Sequence, residues 1–291
     1  NLQTFTLEGE KKRLWGGTGG IFPEGPRLFK KNGRYYLLIA EGGTLHHHTV
    51  TVATSESVWG PYQGSPRNPL LTHKHLHRTY PIQNVGHADL VFLKDGQTVG
   101  VCLGSRPQGG FYDGGNTQYS FGGYYRNLGR ETFIFPVHWP DDEHGPLLSP
   151  DSGKIEASYS FDTLEETPLK DIPLDFSEKS VQTKWVTRKQ DSMAHISRSD
   201  QSIILTLRPT LDHSFFGARQ TSWNANYQAI IDAQHLYDGT ALFVAFISEK
   251  TYGGIAIKQG SMAFITVDHG VETIHHRFET QASIFHVRLQ I

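Results

Sequence analysis

Glu24 is a carboxylic acid preceded by Ile21-Phe22-Pro23 and followed by Gly25-Pro26. A carboxyl group that is to donate a proton near neutral pH must be kept protonated by an apolar or anionic neighbourhood, and the residues before Glu24 offer the apolar kind. On residue type alone, a turn is the commoner use of a Glu beside Gly-Pro. His87, in Gly86-His87-Ala88-Asp89, could face a binding funnel or tie strands together through a hydrogen bond. Arg130, in Leu128-Gly129-Arg130-Glu131-Thr132, presents a planar fork of donors to hydroxyls, or pairs with Glu131 or another blade's carboxylate as a structural clamp. Phe22 and Trp15 could floor a binding site by stacking, or pack in a core. His46-His47-His48 and the alternating His73, His75 and His77 invite a metal reading. Three consecutive His cannot all face one side of a strand, and the alternating set lacks acidic or Cys partners. Solvated loop histidines are the expectation for both groups.

These residues must be positioned by β-structure. Apolar runs are short, rich in β-branched and aromatic residues, and broken by Gly, Asn-Gly or Asp-Gly, which predicts an all-β protein. Strands are expected at Tyr35 to Ala40, Thr49 to Ala53, Leu90 to Leu93, Val99 to Leu103 and Thr132 to Val137. Asn32-Gly33 and Asp95-Gly96 sit between paired runs, where hairpin turns need residues that tolerate positive φ. Gly33 and Gly96 lie 63 residues apart, and the same offset carries Glu24 onto His87. An antiparallel repeat of that length is what propeller blades produce, and it aims Glu24 and His87 at one central funnel.

The texture changes after Trp139-Pro140. Residues 1–150 form the expected propeller part, 151–175, with Pro168 and Pro173, the connector, and 176–291 a second β region. Its strands are expected at Ile203 to Leu207, Tyr227 to Ile231, Ala241 to Ile247 and Ala263 to Val267, giving a β-sandwich. At the end of the chain Val287, Leu289 and Ile291 should face in, with His286, Arg288 and Gln290 facing out. Both domains read as incomplete, the propeller short of blades and the sandwich short of strands.

A formal charge of −2 and scattered Lys and Arg argue against nucleic acid or anionic membrane and for a neutral partner. Cys102 lies in an apolar run, so no intrachain disulfide can form and a buried inert thiol is expected. No apolar stretch reaches the ~20 residues of a membrane helix. No signal peptide is visible, but the chain does not begin with Met, so the compartment, extracellular or cytoplasmic, is left unassigned.

The stretch Trp15 to Lys30, then Tyr35 to Thr44 with Glu41-Gly42-Gly43-Thr44, Pro81 to Val91 with Gly86-His87-Ala88-Asp89, and Leu128 to Phe133 resembles glycoside hydrolase family 43. Within it the two-domain β-xylosidases are most similar. Ser214-Phe215-Phe216-Gly217-Ala218-Arg219-Gln220 resembles, more weakly, the β-sandwich that follows their propeller. The resemblance implies a five-bladed β-propeller that cleaves glycosidic bonds with inversion. Such cleavage takes one carboxylic acid to protonate the departing oxygen and a second carboxylate to activate water.

By that resemblance Glu24 is the general acid, His87 lines the funnel beside the first sugar subsite, and Arg130 contacts the nonreducing-end sugar. The catalytic base and the Asp that orients the acid belong to blades N-terminal to this chain, and neither Asp89 nor Asp113 matches them. No cofactor is required. A structural calcium ion in the funnel, with His87 nearby, is the one metal the resemblance admits, and no metal ligand is assigned. The expected activity is exo-β-1,4-xylosidase, releasing xylose from nonreducing ends of xylo-oligosaccharides, with α-L-arabinofuranosidase or a bifunctional enzyme as the alternative. A noncatalytic carbohydrate-binding fragment, or a structural chain completing another's propeller, are the alternatives of other classes. The expected partners are the xylo-oligosaccharide or arabinofuranoside substrate and the segments absent at both ends, with a homo-oligomer left open.

Overall fold

The computed structural model describes residues 1, 3–112, 123–162, 164–165, 167, 176–177, 184–187, 196–198, 202–205 and 214–291. They form an all-β protein with no helix among the described residues, hence none long and apolar enough to cross a membrane. The chain divides into two units, Asn1–Leu164 and Glu165–Ile291.

In the first unit, β1 (Glu24–Lys31), β2 (Arg34–Glu41), β3 (Thr49–Ser55) and β4 (Gln63–Gly64) form an antiparallel sheet in that order, with β5 (Leu71–Thr72) also paired to β3. A second sheet joins β6 (Gln83–Phe92), β7 (Thr98–Ser105), β10 (Glu131–His138) and β11 (Leu147–Leu148), while β8 (Gln108–Tyr112) pairs with β9 (Gly123–Tyr125). Asn32 and Gly33, at φ 48° and 82°, close the two-residue hairpin between Lys31 and Arg34, the tight turn that Asn-Gly favours. The matching turn differs. Phe92 and Thr98 are the last paired residues there, so Leu93 to Gln97 form a longer loop in which Gly96 is at φ 88°. The two hairpins therefore share a place in their sheets but not a turn type.

The run Tyr36 to Ala40 is buried on both faces of β2, as a continuous apolar strand between two layers must be. Leu38, Val50, Val52, Leu71, Ile82, Val85 and Phe135 form one core drawn from both sheets. Gly100 makes room for it: a Cβ there would stand 2.2 Å from the Phe135 ring. Ile155 is fully buried in the same core, so the chain stays packed on this unit beyond residue 150. Cys102 is buried and free, and burial pushes its thiol pKa up.

In the second unit, β12 (Trp185–Thr187) pairs with β15 (Phe216–Ala218) and β13 (Ile196–Arg198) with β14 (Ile203–Leu205). β17 (Ala241–Ser248), β18 (Thr251–Lys258), β19 (Ser261–Asp268) and β20 (Val271–Glu279) form a four-stranded meander, and β16 (Asn226–Asp232) pairs with β21 (Ile284–Gln290). Ile257 of the meander packs with Phe285 and Val287 of β21, so these sheets make two layers over one core. The alternation expected at the chain end is present: Val287 is buried, Leu289 and Ile291 half-buried, and His286, Arg288 and Gln290 exposed. Of the strand expected at Ile203 to Leu207, the last two residues lie outside the described residues, as does Asp113.

Candidate active site

Antiparallel pairing gathers the chemistry at one end of the first unit. Glu24 opens β1 opposite Ala40, and Glu41 at the end of β2 lies opposite Thr49 at the start of β3. Thr72 pairs with Thr49 as well. The loops 16–23 and 42–48 therefore leave the first sheet at the same edge.

Glu24 and His87 meet there. His87 Nδ1 lies 3.4 Å from Glu24 Oε1, with both side chains partly exposed to solvent. The approach is close because the residue after Glu24 has no side chain: a Cβ on Gly25 would stand 2.3 Å from His87 Nε2. Gly25 also sits at φ 58°, a conformation glycine adopts without penalty. His87 itself has φ 53°, an uncommon state for a side-chain-bearing residue. β6 is irregular on both sides of Gly86, and such bulges re-aim side chains. Three residues beyond Glu24, Arg27 Nε reaches Asp89 Oδ2 at 2.8 Å. The two strands are thus joined twice, at the acid and just after it.

Phe22 is at φ 53° and its ring packs against Gly43, with Cδ2 3.3 Å from where a Cβ would stand. Two-thirds of its surface is open, so it can take a flat apolar partner. Ile21 is also exposed, so the apolar enclosure expected around Glu24 is not supplied by its own flanking residues. Trp15 instead packs against the cluster of Leu37, Ile39, Ala53 and Tyr62. Arg130 is exposed at the entry to β10. The clamp with Glu131 does not form, because Arg106 Nε donates to Glu131 Oε2 at 3.0 Å.

The expectation of solvated loop histidines fails for two of six. His47, His75 and His77 are exposed and His46 is half-buried, but His48 and His73 are each 1% exposed. Each has a defined tautomer, since a carbonyl oxygen can only accept. His48 Nδ1 donates to Asn84 O at 2.9 Å. His73 Nδ1 donates to Ile82 O at 2.8 Å, and its Nε2 accepts from Ile155 N at 2.9 Å. Burial is the main cause lowering both pKa values, that of His73 to about 4.

His48, expected from the sequence to be a solvated loop histidine, is instead buried beside the candidate site. Its ring centroid is 6.4 Å from that of His87, and His87, Arg130 and Glu24 are all near enough to act on it electrostatically. Its buried Nε2 and the side-chain amide nitrogen of buried Asn84 have no protein partner. A signal was present, because His48 directly precedes the strand pattern Thr49-Val50-Thr51-Val52.

A bound calcium ion would need six or more oxygen ligands, typically. Among the described residues no three His, Cys, Asp or Glu converge on a point, and the carboxylate and imidazoles around His87 do not form such a cage.

Residues 1–144 match the sequence profile of the glycosyl hydrolases family 43. That segment belongs to the family. A non-reducing end alpha-L-arabinofuranosidase of Bacteroides ovatus is 34% identical over 242 residues, covering 79% of this chain and 42% of the relative. A xylosidase/arabinosidase of Butyrivibrio fibrisolvens is 34% identical over 233 residues, covering 76% and 42%. The chain thus spans less than half the length of these two relatives. Among solved structures, a xylan beta-1,4-xylosidase of Bacillus halodurans superposes with a TM-score of 0.78 at 22% identity, over 98% of this chain and 55% of that one. A family 43 protein of Bacillus licheniformis gives 0.76 at 24%, over 98% and 55%. The chain therefore shares the propeller-and-sandwich fold of this family over nearly its whole length.

Proposed function

We propose that the protein containing this chain is a glycoside hydrolase that removes single sugars from the nonreducing ends of xylo-oligosaccharides, an inverting exo-β-1,4-xylosidase in which Glu24 is the general acid. The observation that carries the reading is the Glu24–His87 pair, held at 3.4 Å at the sheet edge where the loops gather. Glu24 protonates the departing oxygen. His87 and Arg130 hold sugar hydroxyls, and the Phe22 ring stacks on an apolar sugar face. The second carboxylate, which activates water on the opposite side of the sugar, comes from a part of the protein outside these residues.

The names of the relatives support a second reading. One is an arabinofuranosidase and one is named for both activities, so a terminal α-L-arabinofuranoside is the alternative substrate.

The test is hydrolysis of an aryl β-xyloside and an aryl α-L-arabinofuranoside by the full-length protein and its Glu24→Ala variant. A general acid contributes roughly 10²–10⁴ in rate, so a loss of that size is expected with a poor leaving group and a smaller one with a good leaving group. Inertness of the unmodified protein toward both substrates, or full activity of Glu24→Ala, would overturn the reading.

A further inference from the structure

Glu41 is 2% exposed, and the hydrogen bonds its carboxylate accepts come from neutral donors. Thr18 N donates to Oε1 at 2.9 Å and to Oε2 at 3.1 Å, the Thr18 hydroxyl to Oε2 at 3.1 Å, and Gly20 N to Oε1 at 3.1 Å. From the opposite side the Thr51 hydroxyl donates to Oε2 at 2.6 Å. One end residue of β2 thus binds two backbone amides of the loop that leads to Glu24. The loop is shaped to admit it: Cβ atoms on Gly17 and Gly20 would stand 2.4 and 3.1 Å from Glu41 Oε1, and Gly17 is at φ 85°. Immediately after the bound amides, Ile21 O accepts from Gly42 N at 2.7 Å. Phe22 then turns through positive φ onto Gly43, and Glu24 enters the ladder opposite Ala40.

We propose that Glu41 is a positioning residue. Its carboxylate holds Gly17 to Phe22 as a rigid collar and so sets where Phe22 and Glu24 stand against a bound sugar. The inference rests on the proposed glycosidase reading for its consequence, but not for the collar itself. Charge-assisted hydrogen bonds from a buried carboxylate to backbone amides are among the stronger ones in proteins. They act here on a segment that carries no regular structure of its own. Replacing one carboxylate oxygen by an NH2 group would turn a donor toward the amides of Thr18 or Gly20 and leave a buried group without a partner.

The experiment compares full-length wild type, Glu41→Gln and Phe135→Leu, the last a core change in the other sheet of the same unit. Two readouts are taken well below the melting temperatures: peptide-resolved hydrogen exchange over residues 16–22, and kcat and KM on the aryl β-xyloside. Glu41→Gln is expected to raise exchange in that segment about tenfold or more, to lower kcat and to raise KM. Phe135→Leu is expected to lower the melting temperature while leaving kcat, KM and the exchange of 16–22 near wild type. If Glu41→Gln fails to fold, Thr51→Val removes the 2.6 Å donor and should move both readouts in the same direction by less. Unchanged exchange and unchanged kcat and KM in the glutamine variant overturn the proposal. So does a kinetic loss reproduced by Phe135→Leu at the same drop in melting temperature. If wild type hydrolyses no glycoside, the glycosidase reading fails, and the exchange readout alone still decides whether Glu41 holds the collar.

Discussion

His48 stands behind His87, with ring centroids 6.4 Å apart and planes inclined at 68°, and its Cδ2 lies 2.4 Å from where a Cβ on Gly86 would be. The glycine before His87 is thus a contact surface for a buried imidazole. Gly86→Ala must push either the His48 ring or β6, and it is expected to lower kcat/KM at least about tenfold together with the melting temperature. The double variant Gly86→Ala/His48→Ala removes the obstacle and should lose less than the sum of the two single changes, since contacting residues couple by about 0.5–3 kcal/mol. A strictly additive cycle would mean the steric reading is wrong.

Gly25→Ala meets two obstacles at once. The new methyl would stand 2.3 Å from His87 Nε2, and φ at 58° strains any side-chain-bearing residue. A loss of more than about 1 kcal/mol in unfolding free energy is expected from the backbone term alone. Activity should fall further than stability accounts for, because the displaced group is His87. Denaturant melts and kcat/KM on the same preparation separate the two effects.

His73 gives the first unit an acid limit. Its pKa is lowered to about 4 by burial, from an ordinary value of 6.5. The unfolded chain therefore binds a proton that the folded chain refuses, and stability falls as pH drops from 6.5 toward 4. At about 1.4 kcal/mol per pKa unit, the loss from this residue is on the order of 3 kcal/mol across that window. His73→Gln can present an amide in place of the imidazole to Ile82 O and Ile155 N. It should flatten that part of the stability–pH curve even if it costs stability at pH 7. An unaltered slope would rule out His73 as the source.

Arg27 and Asp89 are joined at 2.8 Å but are partly exposed. An exposed pair of this kind contributes roughly 0–1 kcal/mol, so Asp89→Asn should shift the melting temperature little. If the pair serves to align β1 with β6 at the site, kcat/KM should change more than the melt does. A melt shifted by several degrees with unchanged kinetics would assign it to stability instead.

Much of the first unit can be read from residue types. The runs at Tyr35 and Thr49 became β2 and β3, and Asn32-Gly33 became the tight turn between β1 and β2. The residues related by the 63-residue offset, Glu24 and His87, lie 3.4 Å apart, although the turns used to detect it are of different kinds. What pattern reading misses is polarity turned inward. His48, His73 and Glu41 are polar residues at strand ends, where a sequence carries the same letters whether the side chain meets water or a backbone carbonyl. Only tertiary contacts decide: Asn84 O and Ile82 O take the imidazole protons, and the amides of Thr18 and Gly20 take the carboxylate. The glycines give a partial clue. Gly17, Gly25 and Gly86 are small because an acid or an imidazole occupies the space beside each of them.

The segment after Trp139 returns to the first sheet. Arg67 donates to Asp142 Oδ1 at 2.8 Å and Gly145 O at 3.0 Å, Ser65 to His144 O at 2.7 Å, and Arg34 reaches Glu143 at 2.7 Å. These bonds join residues separated by 75 to 109 positions. Contacts of such long sequence separation form late in folding because the intervening loop must be closed first. During synthesis β1 to β5 would therefore stay unlatched until the ribosome has released Gly145.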